Sequence, residues 1–437
     1  MTAVQLQQVL LLLAVGLAGL VGLAVFVPRP RWTLALFGIG IAAVPIWVGG
    51  NVLPFVTPHI ALGALCVVSL ALAPAGEHSP RVGLLSRIRA FDVVLLVLFA
   101  LAVGSWLLRV VSFGQVYLVA TWGLMYLAGR LAGIKVGLRA TATMLAVIFT
   151  VIAVLAVAEF ATGRNLWLEF TGNGTSAFAV WGPQQYRGSY VRAEGAFGHS
   201  IALGASLAIA MVLTFASRLR TGAKLAAVGV MAVALVLTFS RIGLVTAAIG
   251  IALVILRSPS MSLRLRAILL GLAGVAVPVV LLVASDAFAE DSGGYTDSAL
   301  YRLWLWDVIP ELKPVGQSDL VVQTTDGTST VGSFGSIDSA VILHAVSNGW
   351  VPALILCVAF TIAALRLLLR GGDEALATVV ALIPAFFTVA LITQYAHLVW
   401  FVVGLAVSGL GVAPTAGAKA TPGLAARERP ESLARVG

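Results

Sequence analysis

Apolar residues fill this chain in long blocks, and polar residues mark the gaps between them. The blocks recur from end to end at roughly 17–25 residues, the length an α-helix needs to cross the hydrocarbon of a bilayer. The pattern predicts thirteen spans, at approximately 6–27, 32–49, 56–73, 91–110, 114–130, 140–158, 198–216, 223–239, 242–256, 267–285, 339–365, 375–392 and 396–413. Only the stretch "FSR" separates the eighth and ninth. One helix over 223–257 would be about 52 Å long at about 1.5 Å per residue, too long for a single crossing, so two spans and a tight turn are predicted. A β-barrel would show segments of about ten residues with alternating polarity instead. The expectation is therefore an all-α fold, a polytopic transmembrane helical bundle of about 12–13 spans. It forms a single transmembrane domain over 1–413, followed by a basic, Ala/Pro/Gly-rich tail at 414–437 that reads as disordered and cytoplasmic.

Composition strengthens this picture. The 437 residues are 60% hydrophobic and 10% charged, whereas soluble domains average about 45–50% and about 25%. Cys66 and Cys357 both lie inside apolar runs and read as small core residues. Residues 1–8 carry no positive charge, so no signal peptide is predicted. A net charge of +9 would suggest nucleic acid in a soluble protein. Here basic cytoplasmic loops explain it, and no nucleic-acid partner is predicted. With the N-terminus outside, 20 of the 27 Lys and Arg fall on the inner side, at least two in every inner segment. The outer side keeps Arg109, Arg164, Arg187, Arg192, Arg241, Arg302 and Lys313. Two longer loops, 159–197 and 286–338, are then extracytoplasmic, and they hold 12 of the 18 Asp and Glu. Loops of that length in a compact protein are usually functional or disordered. The location this implies is a bacterial cytoplasmic membrane crossed many times, with the working face outside.

The outer basic residues are the candidates for chemistry. Arg109 ends a span and reads as snorkelling to the headgroups, and Lys313 as a solvated loop charge. Arg241 sits in "VLTFSRIGLVTAA". A charge embedded among apolar residues is expensive and marks a functional site, with a lipid-headgroup contact as the alternative. Arg192 is followed by "AEGAFG", flexible enough for backbone amides to approach a ligand, and Arg187 lies five residues earlier. Arg302 shares an amphipathic stretch with Trp304 and Trp306 that also suits a membrane surface. Several arginines on one cavity suit an oligophosphate, because guanidinium is a planar fork of donors that stays charged. No phosphate-binding glycine loop, zinc-binding helix, Ser–His–Asp arrangement or D-x-D carboxylate pair is present. No metal or cofactor is predicted.

Four stretches, in order across 150–360, resemble the family of O-antigen ligases and polysaccharide polymerases. They are "RAEGAFGHSIALG" (192–204), "FSRIG" (239–243), "YRLWLWDVIPELKPVGQ" (301–317) and "SIDSAVILHAVSNGWVPALIL" (336–356). The resemblance implies a membrane glycosyltransferase. It would take a polyprenyl-diphosphate-linked glycan as donor and move it onto a glycan or lipid acceptor at the outer face, by inverting, metal-independent displacement. Arg192 and Arg241 match the family's diphosphate-binding arginines, and Arg302 is a looser match. Ligases of the family place histidine where this chain has Asp338, and asparagine where it has Ser339. Asp338 is then the candidate general base, since a carboxylate in a partly desolvated site has a raised pKa. Its alternative role is N-cap of the eleventh span. His344, inside that span, reads first as a hydrogen-bonded core histidine, and Glu194 and His199 are further candidate bases. The substitution of the family's histidine suits a polymerase at least as well as a ligase. Two other classes stay open: a transporter or flippase of lipid-linked oligosaccharide, and a scaffold subunit without chemistry of its own.

Overall fold

The computed structural model describes residues 19–48, 56–74, 88–169, 176–188, 190–257, 262–264, 266–268, 271, 301, 304–323, 329–332 and 337–410. Helix dominates them. After a helical stretch at 19–26 come α1 (Pro30–Ala43), α2 (Pro58–Leu72), α3 (Ala90–Leu107), α4 (Phe113–Lys135), α5 (Leu138–Thr162) and the short α6 (Ser176–Trp181). Then follow α7 (Ser200–Thr214), α8 (Thr221–Leu237), α9 (Arg241–Arg257), α10 (Ala340–Asn348) and α11 (Trp350–Arg370). The last three are α12 (Glu374–Ala381), α13 (Ile383–Thr388) and α14 (Thr393–Gly409). Polar residues set several starts. Thr57 caps α2 by accepting from the Ile60 amide at 3.4 Å, with Pro58 in the first turn. Asp373 caps α12 through the Leu376 amide at 2.9 Å.

Two helices, α7 and α14, are apolar on all sides and buried along nearly their whole length, as a helix hydrophobic all round must be. The other helices pack around them. α14 lies so close to α4 that a Cβ at Gly129 would strike the Phe401 carbonyl, and one at Gly404 the Tyr126 carbonyl. Small residues that let helix backbones meet are the usual means of close packing between apolar helices. Trp122 and Trp400 stack across the same pair, ring centres 4.8 Å apart.

α3, α5 and α11 are long and apolar enough to cross a membrane. Their most apolar stretches are only 22%, 39% and 28% buried, and Leu96, Val151, Val154 and Ile362 face outward uncovered. Apolar surface on that scale calls for a lipid or protein phase around it, and points to a membrane protein.

The helix positions follow the sequence pattern closely in most places, including the separation of 223–239 from 242–256, where residues 238–240 form the turn. Two expected spans differ. The span at 339–365 is broken at Gly349, which takes φ +100°. A Cβ there would lie 2.5 Å from the Pro314 carbonyl, so glycine is required by both conformation and space. The span at 375–392 is broken at Leu382, because Pro384 cannot donate an amide to continue a helix from α12 into α13. Neither piece is long enough to cross a bilayer alone, and α12 is buried in protein, the setting in which irregular backbone is tolerated at depth.

The two expected loops carry structure of their own, a small departure from an all-α fold. In the first, β1 (Tyr186–Arg187) pairs antiparallel with β2 (Tyr190–Val191). In the second, β3 (Val321–Gln323) pairs antiparallel with β4 (Ser329–Val331) beside a 3-10 turn at Leu305–Glu311. Leu305, Val308, Val331, Ile337 and Val346 form a small separate apolar cluster there. Residues 313–318 are strapped onto the α10–α11 junction: the Gly316 amide donates to the Asn348 carbonyl at 2.9 Å, Ser318 to Val346 at 2.8 Å, and Trp350 to Lys313 at 2.9 Å. The first part of the first expected span, most of 267–285, much of 286–338 (including Tyr295 and Arg302) and the tail at 414–437 lie outside the described residues.

Candidate functional site

The candidate site is built around one short turn, the 3-10 turn Gly195–Phe197. Three buried side chains from two distant parts of the chain hold its backbone. Glu159, in the last turn of α5 and 2% exposed, accepts from the Glu194 amide at 3.1 Å and from the Gly195 amide at 2.9 Å. Asn165 donates to the Gly195 carbonyl at 3.2 Å. Gln394, in the first turn of α14, donates to the Ala196 carbonyl at 2.8 Å and to the Val44 carbonyl at 3.3 Å. Buried backbone groups must find partners, and here side chains supply them where helix and sheet do not.

This clamp fixes what lies on either side of the turn. Arg192 extends to the C-terminus of α8, where its Nε donates to the Thr238 carbonyl at 3.0 Å and its Nη2 reaches the Phe239 carbonyl at 3.5 Å. A cation at a helix C-terminus satisfies unpaired carbonyls and matches the helix dipole. Two residues later α9 begins. Ser240 caps it by accepting from the Gly243 amide at 3.2 Å, and Arg241 is its first residue, half-buried. The structure thus brings Arg192 and Arg241 to one turn. Arg241 places a positive charge at the positive end of a helix dipole, the end that attracts anions.

The turn between them is strained. Phe239 has φ +51°, a conformation non-glycine residues seldom adopt. Its ring completes an aromatic trio with Phe160 and Tyr190, ring centres 6.2–6.5 Å apart. Thr393, next to Gln394 in the clamp, is another positive-φ residue at +49°. Strain of this kind gathers at functional sites.

The remaining candidates fall into place around this turn or away from it. Glu194 is buried, and its Oε1 accepts from the Gln185 amide at 2.5 Å. Burial pushes its carboxyl up to about 8; the Glu159 carboxylate adds to the rise, while the Gln185 bond and Arg192 oppose it. His199 caps α7, its Nδ1 accepting from the Ile201 amide at 3.2 Å, which leaves the proton of the neutral ring on Nε2. Arg187 lies on β1, paired in register with Tyr190. Gly195 and Gly198 are not open space for a ligand, as flexible glycines would suggest. Both are buried, and at Gly198, φ +62°, a Cβ would lie 2.5 Å from the Trp181 carbonyl and 2.8 Å from the Trp47 ring.

Asp338 does not cap α10. Ser339 does, accepting from the Ile342 amide at 3.3 Å and donating to the Phe386 carbonyl at 3.4 Å. Asp338 itself is exposed rather than desolvated. Two residues on, the Ala340 amide donates to the Val389 carbonyl at 3.1 Å and ties the start of α10 to the end of α13. His344 is the buried core histidine expected, its Nδ1 3.1 Å from Asn348 Nδ2 and its ring centre 5.1 Å from that of Trp122. Trp304 and Trp306 are exposed on the second loop. Among the described residues no group of three His, Cys, Asp or Glu is placed to hold a metal ion.

Sequence reasoning missed Glu159, Asn165 and Gln394. A lone polar residue within or at the end of an apolar run was the available signal for Glu159 and Gln394; Asn165 in "GRNLW" offered none. Compared with known proteins, the chain matches no family model and resembles no curated protein closely enough to place it in a family.

Proposed function

We propose that the protein is a polytopic glycosyltransferase of the bacterial cytoplasmic membrane. Its donor is a glycan on a polyprenyl diphosphate, and its acceptor a second glycan or a lipid at the outer face. The observation that carries this reading is the meeting of Arg192 and Arg241 at residues 238–241, beside an anion-attracting helix start. The resemblance of four stretches to O-antigen ligases and polymerases agrees with it. The donor's polyprenyl chain lies along the uncovered apolar helices and its diphosphate faces Arg241.

The reaction needs three things from the chain. An acceptor hydroxyl oxygen attacks the anomeric carbon, the bond from that carbon to the diphosphate oxygen breaks, and the diphosphate leaves with the electron pair. Arg241 and the first amides of α9 stabilise the charge that grows on the leaving group. The acceptor's proton passes to Asp338, which is open to an acceptor arriving from solvent. Glu194 is mostly protonated at neutral pH and is the poorer proton acceptor. The aromatic trio offers a face for a sugar ring.

The test is transfer from a defined polyprenyl-diphosphate oligosaccharide by purified protein without ATP, read by mass. R241Q abolishes transfer under this reading and D338N reduces it steeply. Full transfer by both variants would overturn the proposal, and movement of the glycan across vesicles without bond exchange would establish a transporter instead.

A further inference from the structure

A second site lies at the other end of the helices. α4 ends at Lys135 and α5 starts three residues later, so those two termini share an end. α5 has 25 residues, about 37 Å at 1.5 Å per residue, and delivers Glu159 to the opposite end. Near Lys135 a crevice of about 740 Å³ opens between α3 and α4, within the range of about 300–1,000 Å³ typical of small-molecule sites. Its walls are apolar, among them Leu96, Phe99 and Leu127, which are exposed on the outer surface of the helices. Its polar end is basic. Arg130 donates to Asp92 from Nε at 3.3 Å and Nη2 at 3.2 Å, and Tyr126 donates to the same carboxylate at 2.5 Å. Lys135 donates to the Ala73 carbonyl at 2.6 Å, one of the three bonds an ammonium can make. Two cations, Arg130 and Lys135, thus line this end against the one Asp92 carboxylate.

We infer that this crevice binds one anionic glycerophospholipid, an acyl chain lying between α3 and α4 and the phosphate facing Lys135 and Arg130. An apolar crevice open to the membrane-facing side suits a chain. An excess of positive charge at its end selects an anionic headgroup over a zwitterionic one, as basic pockets between membrane helices do. The inference is independent of the glycosyl-transfer reading, because it uses none of the residues near Arg192.

Gly123 provides the test. It lines the crevice, and a Cβ there meets nothing within 4 Å, so a larger side chain fills the crevice without striking the backbone. Full-length protein is reconstituted with phosphatidylglycerol and phosphatidylcholine in equal amounts, and the retained lipid is identified by native mass spectrometry. One net cation is worth about fivefold at a membrane surface, so wild type retains one phosphatidylglycerol with a preference of about fivefold, and K135Q removes the preference. G123W retains none. Equal retention of both lipids by wild type, which needs no variant to fold, would overturn the inference. So would phosphatidylglycerol held equally by wild type and G123W, or its displacement by an equal amount of polyprenyl monophosphate.

Discussion

Glu159→Ala removes the carboxylate that holds the start of the Gly195–Phe197 turn. Two buried amides, those of Glu194 and Gly195, then lose the acceptor they meet at 3.1 and 2.9 Å. Leaving a buried donor unpaired costs about 1–3 kcal/mol, so the substitution destabilises by about 2–6 kcal/mol. Glu159→Gln keeps one carbonyl oxygen and turns the other acceptor into a donor facing an amide, so it loses about half as much. Both costs are offset in part by relief of the desolvation a buried carboxylate suffers, which places E159A at the lower half of its range. At about 2.1 cal/mol/K per residue, a single domain of about 400 residues shifts by about 1 °C per kcal/mol, so E159A lowers the thermal midpoint by roughly 2–4 °C. The assay is unfolding of purified protein in one detergent, followed by tryptophan fluorescence. Trp167, one of ten tryptophans, lies beside the turn, its amide held by Asn165 and its ring nitrogen donating to the Ala43 carbonyl at 2.9 Å. The expected order is wild type, E159Q, E159A. An E159A variant as stable as wild type, or more stable than E159Q, would show that the turn does not depend on this carboxylate.

Three more predictions follow from the same geometry. The Glu194 carboxyl is raised from its ordinary value of 4.5 to about 8, so the folded protein binds its proton more tightly than the unfolded chain. The stability from that proton is complete below pH 4.5 and is lost as pH rises to 8. E194Q flattens this part of the stability profile, and an unchanged profile in thermal melts across pH 4.5–8 contradicts the assignment. Arg192→Lys loses the fork on the Thr238 and Phe239 carbonyls and destabilises by about 1.5–3 kcal/mol in thermal melts; Arg241→Gln abolishes binding of a labelled polyprenyl diphosphate, and undiminished binding contradicts its proposed role. Gly349→Ala pushes a Cβ against the Pro314 carbonyl at a φ of +100°, straining the strap by about 1–3 kcal/mol. Limited digestion with a glutamate-specific endoproteinase then cuts after Glu311, whose carbonyl accepts from Ser318 in the strap, at least severalfold faster than in wild type.

The apolar blocks located most helices because length and polarity are local properties. The turn between α8 and α9 was readable for the same reason: a serine and an arginine interrupt an apolar run, and a single helix would have been too long. The breaks at Gly349 and Pro384 were hidden, although each residue stands in plain view in the chain. An apolar window reports burial, and a broken helix buried in protein is as apolar as an unbroken one. Arg192 and Arg241 stood out because charge in such surroundings is expensive. That Arg192 closes the end of α8 did not, since the contact joins residues 46 apart. Gln394 was less visible still, as it meets a carbonyl 198 residues away. Asp338 shows the reverse error, where a plausible cap lost to its neighbour Ser339 by one position.

The Gly195–Phe197 turn is assembled from contributions spaced along the chain, and the last of them, Gln394, emerges from the ribosome well after Arg192 and Arg241. A growing chain inserted in the membrane therefore carries both arginines long before it can hold them in position. The turn is completed late, with the docking of α14, and a fragment ending before Thr393 carries Arg192 and Arg241 without the side chain that holds the Ala196 carbonyl.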